Sequence, residues 1–252
     1  MGNLTTQILR FDSLPSTNLE AARRAVEGAP EGLCVVAGEQ TAGRGRHQRQ
    51  WVSPKDAGLY FSIILRPRFE QSVWPLLTLM TAIAVHDALL DACSLETDIK
   101  WPNDILVNEK KLCGILAETV ETCLGRAVVV GIGINLTSKS FSPDLYGVAS
   151  SVEDATSKSP GVEVVLAALV RVLITHYQLL QRRGGPEVIV GEWCARSSYA
   201  TGKRIRVSEN NENFSAITRG LERDGALRVE TDDGEIRIVR AGDVTVVRPI
   251  SV

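Results

Sequence analysis

A strand-like apolar run, Leu33 to Ala37, leads directly into the polar stretch Gly38-Glu39-Gln40-Thr41-Ala42-Gly43-Arg44-Gly45-Arg46-His47-Gln48-Arg49-Gln50-Trp51. This junction constrains the fold more than any other stretch, because a strand end must present three arginines on glycine hinges to something that needs them. Glycine admits positive φ and close ligand approach, and each guanidinium offers paired, planar donors to phosphate or carboxylate oxygens. The loop reads as a mobile anion clamp, with a solvated basic loop or a nucleic-acid backbone grip as the alternatives. The 252-residue chain has a formal net charge of -2, so the arginines are a local feature on a near-neutral body, which disfavours nucleic acid as a partner.

The length suits one sizeable domain and a smaller one. The five cysteines (Cys34, Cys93, Cys113, Cys123 and Cys194) are scattered and never in a CxxC pair, which suggests a reducing, cytoplasmic setting rather than a disulfide framework or zinc site. No stretch is expected to cross a membrane, and Met1-Gly2 with Thr6 meets only a loose acylation pattern.

Gln7 to Asp12 reads as a short strand leading into Ser16-Thr17-Asn18, where Thr17 and Glu20 form a capping-box pattern for a helix. Capping explains these three polar residues, and a polar ligand head at the helix N-terminus would also use them. Gly58 to Arg66 predicts a buried strand, and Val73, Leu76, Leu77, Met80, Ile83, Ala84 and Leu90 mark one face of a long helix. In Lys100-Trp101-Pro102-Asn103-Asp104-Ile105-Leu106-Val107, Pro102 is expected to hold the chain extended. A polar turn at Asn108-Glu109-Lys110 then joins this run to Lys111-Leu112-Cys113-Gly114-Ile115-Leu116 as a hairpin. Lys111 is either an edge-strand lysine that blocks aggregation or a point charge in a pocket wall, with Asn103 and Asp104 near a nucleotide or its magnesium. Ala127 to Leu136 is a strand interrupted by Gly131 and Gly133, which signals a bend or the close approach of a ligand or another backbone, toward which Asn135 could point.

The loop from Glu39 to Trp51, the Lys100 to Asp104 and Lys111 to Leu116 stretches, and Gly131-Ile132-Gly133-Ile134-Asn135 occur in one order and together resemble the biotin protein ligase family over essentially the whole chain. The resemblance implies an α+β fold: a mixed β-sheet with flanking helices on one side, of the class II aminoacyl-tRNA synthetase/biotin ligase kind, followed by a small SH3-like β-barrel. It sets a catalytic domain at 1-196 and the barrel at 197-252. It implies activation of biotin by ATP and Mg2+ to biotinyl-5′-adenylate with release of pyrophosphate. Biotin then passes to one lysine of a biotin carboxyl carrier protein or domain of acetyl-CoA carboxylase.

By the same resemblance, Ser16, Thr17, Asn18 and Gln40 hold biotin's ureido ring and neighbouring groups, while Arg44, Gly45 and Arg46 belong to the loop that folds over the intermediate. Arg46 would keep the adenylate from escaping. Arg49, Trp51, Asn103 and Asn135 fall on the nucleotide side, with Asp104 beside them as a candidate magnesium contact, and Lys111 would touch the biotin carboxylate and α-phosphate. Magnesium would be carried mostly on phosphates. The chemistry agrees on independent grounds, since a carboxylate meeting a triphosphate is a meeting of anions that needs positive charge and alignment more than an acid or base. No Ser-His-Asp or Cys-His arrangement is evident or required.

Gln48 stands where the family usually carries glycine, which removes a flexible joint from the clamp. The chain begins almost at the catalytic domain, so the monofunctional type without a DNA-binding domain is expected, and a homodimer is left open. The segment from Phe141 to Pro160 reads as loop, Val162 to Leu180 as a helix, and Pro186 to Trp193 as a short one. After Ser197, alternating runs at Lys203 to Val207, Ala226 to Val229 and Glu235 to Val239, with turns at Asp224-Gly225 and Asp233-Gly234, agree with a small β-barrel. Two other readings are a lipoate ligase or octanoyl transferase of the same catalytic fold, and a nucleic-acid-binding regulator.

Overall fold

Side-chain alternation along the strands divides one sheet into two faces with different tasks. In β3 (Gly58–Leu65), Leu59, Phe61, Ile63 and Leu65 enter the main apolar cluster, so the pleat turns Tyr60, Ser62 and Ile64 to the opposite face. The computed structural model describes residues 4–138, 141, 145–209 and 212–246, so the Met1-Gly2 pattern lies outside the described residues. Its other strands in this sheet are β1 (Gln7–Phe11), β2 (Leu33–Ala37), β4 (Asp98–Lys100), β5 (Asp104–Val107), β6 (Lys110–Thr122) and β7 (Gly125–Asn135). Their spatial order is β1-β2-β3-β7-β6-β5-β4. Only the β1/β2 pair is parallel, which makes the sheet mixed.

The hairpin turn at Asn108 and Glu109 has φ of 49° and 61°, as a two-residue turn between twisted strands requires. Trp101-Pro102-Asn103 does not stay extended. The Trp101–Pro102 bond is cis, the chain reverses there, and the expected single strand becomes the antiparallel pair β4/β5.

Helices cover both faces, not one side. On the main-cluster face lie α2 (Leu76–Cys93), α4 (Val162–Leu180) and α5 (Gly185–Ala195). On the other, α1 (Thr17–Val26) packs Ala21 and Ala25 against Leu33, Val35, Ile64, Ala127 and Val129. Small alanines let this helix approach closely, and its N-terminus reaches the strands that carry the glycines. The capping box does not form: Ser16 is the N-cap residue, and Glu20 pairs with Arg23 and Arg24 while the Thr17 hydroxyl turns elsewhere.

By length and composition α2 and α4 could each cross a membrane, contrary to the sequence reading. In the fold α2 lies between the sheet and the other helices, with Leu76, Leu77, Leu79 through Val85, Ala88 and Leu89 buried on several sides, which explains its lack of a polar face. Leu90, expected in the stripe, is exposed. The expected loop before α4 contains a one-turn helix, α3 (Val152–Thr156), capped by the Ser151 side chain.

The C-terminal strands are β8 (Thr201–Glu209), β9 (Glu212–Leu221), β10 (Leu227–Thr231), β11 (Ile236–Val239) and β12 (Asp243–Val246), with the turn glycines Gly225 and Gly234 at positive φ. They form an antiparallel sheet in the order β11-β10-β9-β8-β12. Among the described residues β11 and β12 do not pair, so the expected barrel is an open five-stranded sheet. Its inner residues Ile205, Val207, Leu227, Val229 and Val244 join the main apolar cluster, and Trp101 Nε1 donates to the Gly225 carbonyl at 3.0 Å. This packing brings β12 to the mouth of the site.

Candidate active site

Gly131 and Gly133 alternate with Val130, Ile132 and Ile134, so the pleat sends the apolar side chains into the core and leaves the opposite face of β7 bare. A Cβ on Gly131 would lie 2.0 Å from Asn18 Oδ1, and one on Gly133 would lie 2.4 Å from Trp51 Nε1. The glycines therefore admit site side chains against the sheet, which answers the question their position raised. Above this floor is a cavity of about 530 Å³. Ser16, Thr17, Asn18, Gln40, Arg44, Gly45, Arg46, Arg49, Trp51, Asn103, Asp104, Lys111 and Asn135, all singled out in the sequence, line it.

One end is neutral and closely hydrogen-bonded. Gln40 Oε1 accepts from the Thr17 amide at 2.8 Å and the Thr17 hydroxyl at 3.1 Å, while Gln40 Nε2 donates to Ser53 Oγ at 2.8 Å. Ser62 Oγ lies 2.8 Å from Thr17 Oγ1 and 2.6 Å from Asn18 Oδ1; its single proton serves one of them at a time. Asn18 Nδ2 donates to the Leu116 carbonyl at 3.2 Å and to Glu118 Oε2 at 2.8 Å. Ser16 is buried, and Thr17, Asn18, Ser53 and Ser62 are buried and need these partners.

The other end is cationic. The arginine loop is itself a small hairpin: Trp51 N–H donates to Gly43 O at 3.0 Å, Gly45 N–H to Arg49 O at 2.7 Å, and Arg49 N–H to Arg46 O at 3.1 Å. Its turn residues His47 and Gln48 have φ of 53° and 60°, a region that glycine enters far more readily. Arg44 pairs with Glu118 at 2.8 Å, which ties the clamp to the neutral end. Arg46 Nη1 donates to Asn103 Oδ1 and the Gly242 carbonyl, both at 3.2 Å, and lies 3.5 Å from Asp243 Oδ1. Arg49 pairs with the same Asp243. Burial lowers the Arg46 guanidinium pKa from its ordinary range, and the nearby Asp243 and Asp104 carboxylates oppose that shift.

Lys111 stands in the pocket wall, not as a free edge charge. Its Nζ is 2.6 Å from Asp104 Oδ1 and 5.4 Å from the centre of the Trp51 ring, and its backbone pairs with Val148 and Ser150. The Trp51 indole N–H is buried and finds no acceptor among the described residues. Asn103 Nδ2 donates to Ile115 O at 2.9 Å and Asn135 Nδ2 to Ser150 O at 3.1 Å, so both amides are fixed from behind. Sequence reasoning missed Ser53, Ser62, Glu118 and Asp243. Only Ser62 carried a signal: a lone hydroxyl inside the run Gly58 to Leu65 needs a buried partner.

Among the described residues no three His, Cys, Asp or Glu side chains gather to hold a metal, although Asp104, Glu109 and Asp243 line the cavity. Such a donor set suits a divalent ion that arrives on phosphates and takes one or two carboxylates from the protein.

Residues 8–135 match the biotin/lipoate A/B protein ligase family, and residues 201–247 match the biotin protein ligase C-terminal domain. The chain belongs to this ligase family. A biotin–[acetyl-CoA-carboxylase] ligase of Mycobacterium tuberculosis is 32% identical over 241 residues, covering 92% of this chain and 86% of that protein. The bifunctional ligase/repressor BirA of Bacillus subtilis is 36% identical over 239 residues, covering 93% and 72%. Among solved structures, the biotin protein ligase from Aquifex aeolicus in complex with biotin and ATP superposes with a TM-score of 0.84 at 25% identity, covering 97% of this chain and all of that one. The ligase family's two sequence regions thus fall on the two sheets that meet at the cavity.

Proposed function

We propose that the protein is an ATP-dependent biotin protein ligase that works in the cytoplasm. The observation that carries this reading is the meeting of a neutral, hydrogen-bonded end and a cationic end in one cavity, in a chain of this family. A ureido ring offers N–H donors and a carbonyl acceptor, which suit the Ser16, Thr17, Asn18 and Gln40 end. Biotin's valeryl tail would then cross the glycine floor and bring its carboxylate toward Lys111.

In the first step a carboxylate oxygen of biotin attacks the α-phosphorus of ATP, and the bond from that phosphorus to the bridging oxygen breaks, with the electron pair leaving on pyrophosphate. Lys111 and Arg46 offset the charge that gathers as two anions meet. Magnesium, when bound, would neutralise phosphate charge, and Asp104 would be the residue to touch it. In the second step a carrier lysine amine attacks the acyl carbon, the C–O bond to AMP breaks, and the amine loses a proton. Arg44, Gly45, Arg46 and Arg49 hold the adenylate between the steps, Trp51 and Asn135 bound the nucleotide, and Asn103 positions Arg46.

The test is pyrophosphate release from Mg-ATP with biotin, with lipoate in parallel, followed by transfer to the carrier domain of acetyl-CoA carboxylase. Release with biotin and labelling of one carrier lysine are expected. Release with lipoate alone would move the chain to the other branch of its family.

A further inference from the structure

Lys100 shares a motif with Asn103 and Asp104 but has no part in the chemistry above. The sheet register gives it a place. Lys100 is the cross-strand partner of Asp104, Asp104 of Gly114, and Gly114 of Gly133, so the four form one row across β4, β5, β6 and β7. Directly opposed residues share a face, and Gly133 and Gly114 lie under Trp51 as the cavity floor. Lys100 ends that row about 10 Å beyond Gly114, at two strand spacings.

The bland account of Lys100 is an edge-strand lysine guarding against aggregation. Such a lysine would point into solvent. The Lys100 side chain is only 20% exposed and lines the cavity. Asp104 holds it only loosely, for that carboxylate contacts Lys111 at 2.6 Å and pairs with Lys100 Nζ at 3.7 Å, outside hydrogen-bond range. Two ammonium groups thus share the one Asp104 carboxylate, with Glu109 also lining the cavity.

We infer that Lys100 is a second phosphate-binding cation, acting on the β- and γ-phosphates that depart as pyrophosphate; this rests on the ligase reading. When the α-phosphorus to bridging-oxygen bond breaks, the electron pair adds charge to the leaving pyrophosphate. A cation on that side gains more from the transition state than from bound ATP. Lys111 lies beside Gly114 on β6, and Lys100 lies two strands farther out on β4, as the outer phosphates of an extended triphosphate would.

The test compares the parent protein with Lys100→Met and Lys100→Arg. Loss of one charge-assisted contact should raise the KM for Mg-ATP and the Kd for inorganic pyrophosphate about tenfold in Lys100→Met. The KM for biotin should stay the same, as should biotin transfer from supplied biotinyl-5′-adenylate. Lys100→Arg should recover most of the loss. The inference is overturned if Lys100→Met binds pyrophosphate, by calorimetry, within about twofold of the parent. It is overturned equally if biotin and ATP constants move together, because Lys100 would then be a prop for Asp104. Pyrophosphate calorimetry needs no turnover, whereas a parent that releases no pyrophosphate with biotin would count against the ligase reading alone.

Discussion

The two ends of the cavity are held in different ways. At the α1 end, buried Ser62, Thr17, Asn18 and Ser53 and half-buried Gln40 join one another through neutral hydrogen bonds of 2.6 to 3.1 Å, with Asn18 also held from behind by Glu118. At the clamp end, Arg44, Arg46 and Arg49 rest on the carboxylates Glu118 and Asp243, and the turn between them carries two non-glycine residues at positive φ. The first kind of site must be prebuilt, since a neutral ligand cannot repay the cost of unpaired buried polar groups. The second can be provisional. An incoming polyanion replaces Asp243 and Glu118 with its own oxygens, charge for charge, and the pairs made by the exposed Arg44 and Arg49 give way for little free energy. A sequence that needs one head group recognised and one reactive intermediate retained therefore spends rigidity at one end and exchangeable charge at the other.

Substitutions should separate these ends. The largest effect is expected from Lys111→Ala, which removes the wall cation and should slow adenylate formation about a hundredfold or more in single-turnover assays, with biotin binding changed far less. Gly131→Ala comes next. Its Cβ would displace Asn18, and an unpaired buried amide should weaken biotin binding roughly tenfold or more by calorimetry, with the nucleotide constant unmoved. An equal loss for ATP would erase the distinction between the ends.

Arg46→Gly should leave adenylation measurable but let adenylate escape about tenfold faster, read as free biotinyl-5′-adenylate in the medium. The smallest change is expected from Gln48→Gly. The φ of 60° at Gln48 costs about 1 kcal/mol that glycine would not pay, so this variant should retain adenylate a few-fold longer. Faster leakage from it would show that Gln48 makes a contact the clamp needs.

Much of this site was legible because its local pieces are contiguous. Ser16-Thr17-Asn18, the arginine loop, Asn103-Asp104, Lys111 and the alternating Gly131 and Gly133 each carry their chemistry within a few residues. The unread parts depend on sheet order and domain docking. Ser62 meets Asn18 because β3 lies beside β7, Glu118 reaches Arg44 across β6, and Asp243 arrives on β12 of the other sheet. The capping pattern at Thr17 misled because its hydroxyl is needed by Gln40, and tertiary demand overrode a local preference. Likewise the stripe expected along α2 is not its burial pattern, because a helix buried on several sides has no single apolar face. The strands β9 and β12 went unread among short polar segments, and the open C-terminal sheet is a property of pairing that no single segment encodes.

The claim that one end is prebuilt and neutral while the other is exchangeable and charged is tested most directly by salt. Binding of biotinol, a neutral biotin alcohol that reports only the ureido end, and of Mg-ATP would be measured by calorimetry from about 50 to about 500 mM salt, a range over which exposed charges become strongly screened. The account predicts a flat Kd for biotinol and an affinity for Mg-ATP that falls about tenfold. Parallel slopes for the two ligands, or a flat response for the nucleotide, would contradict it.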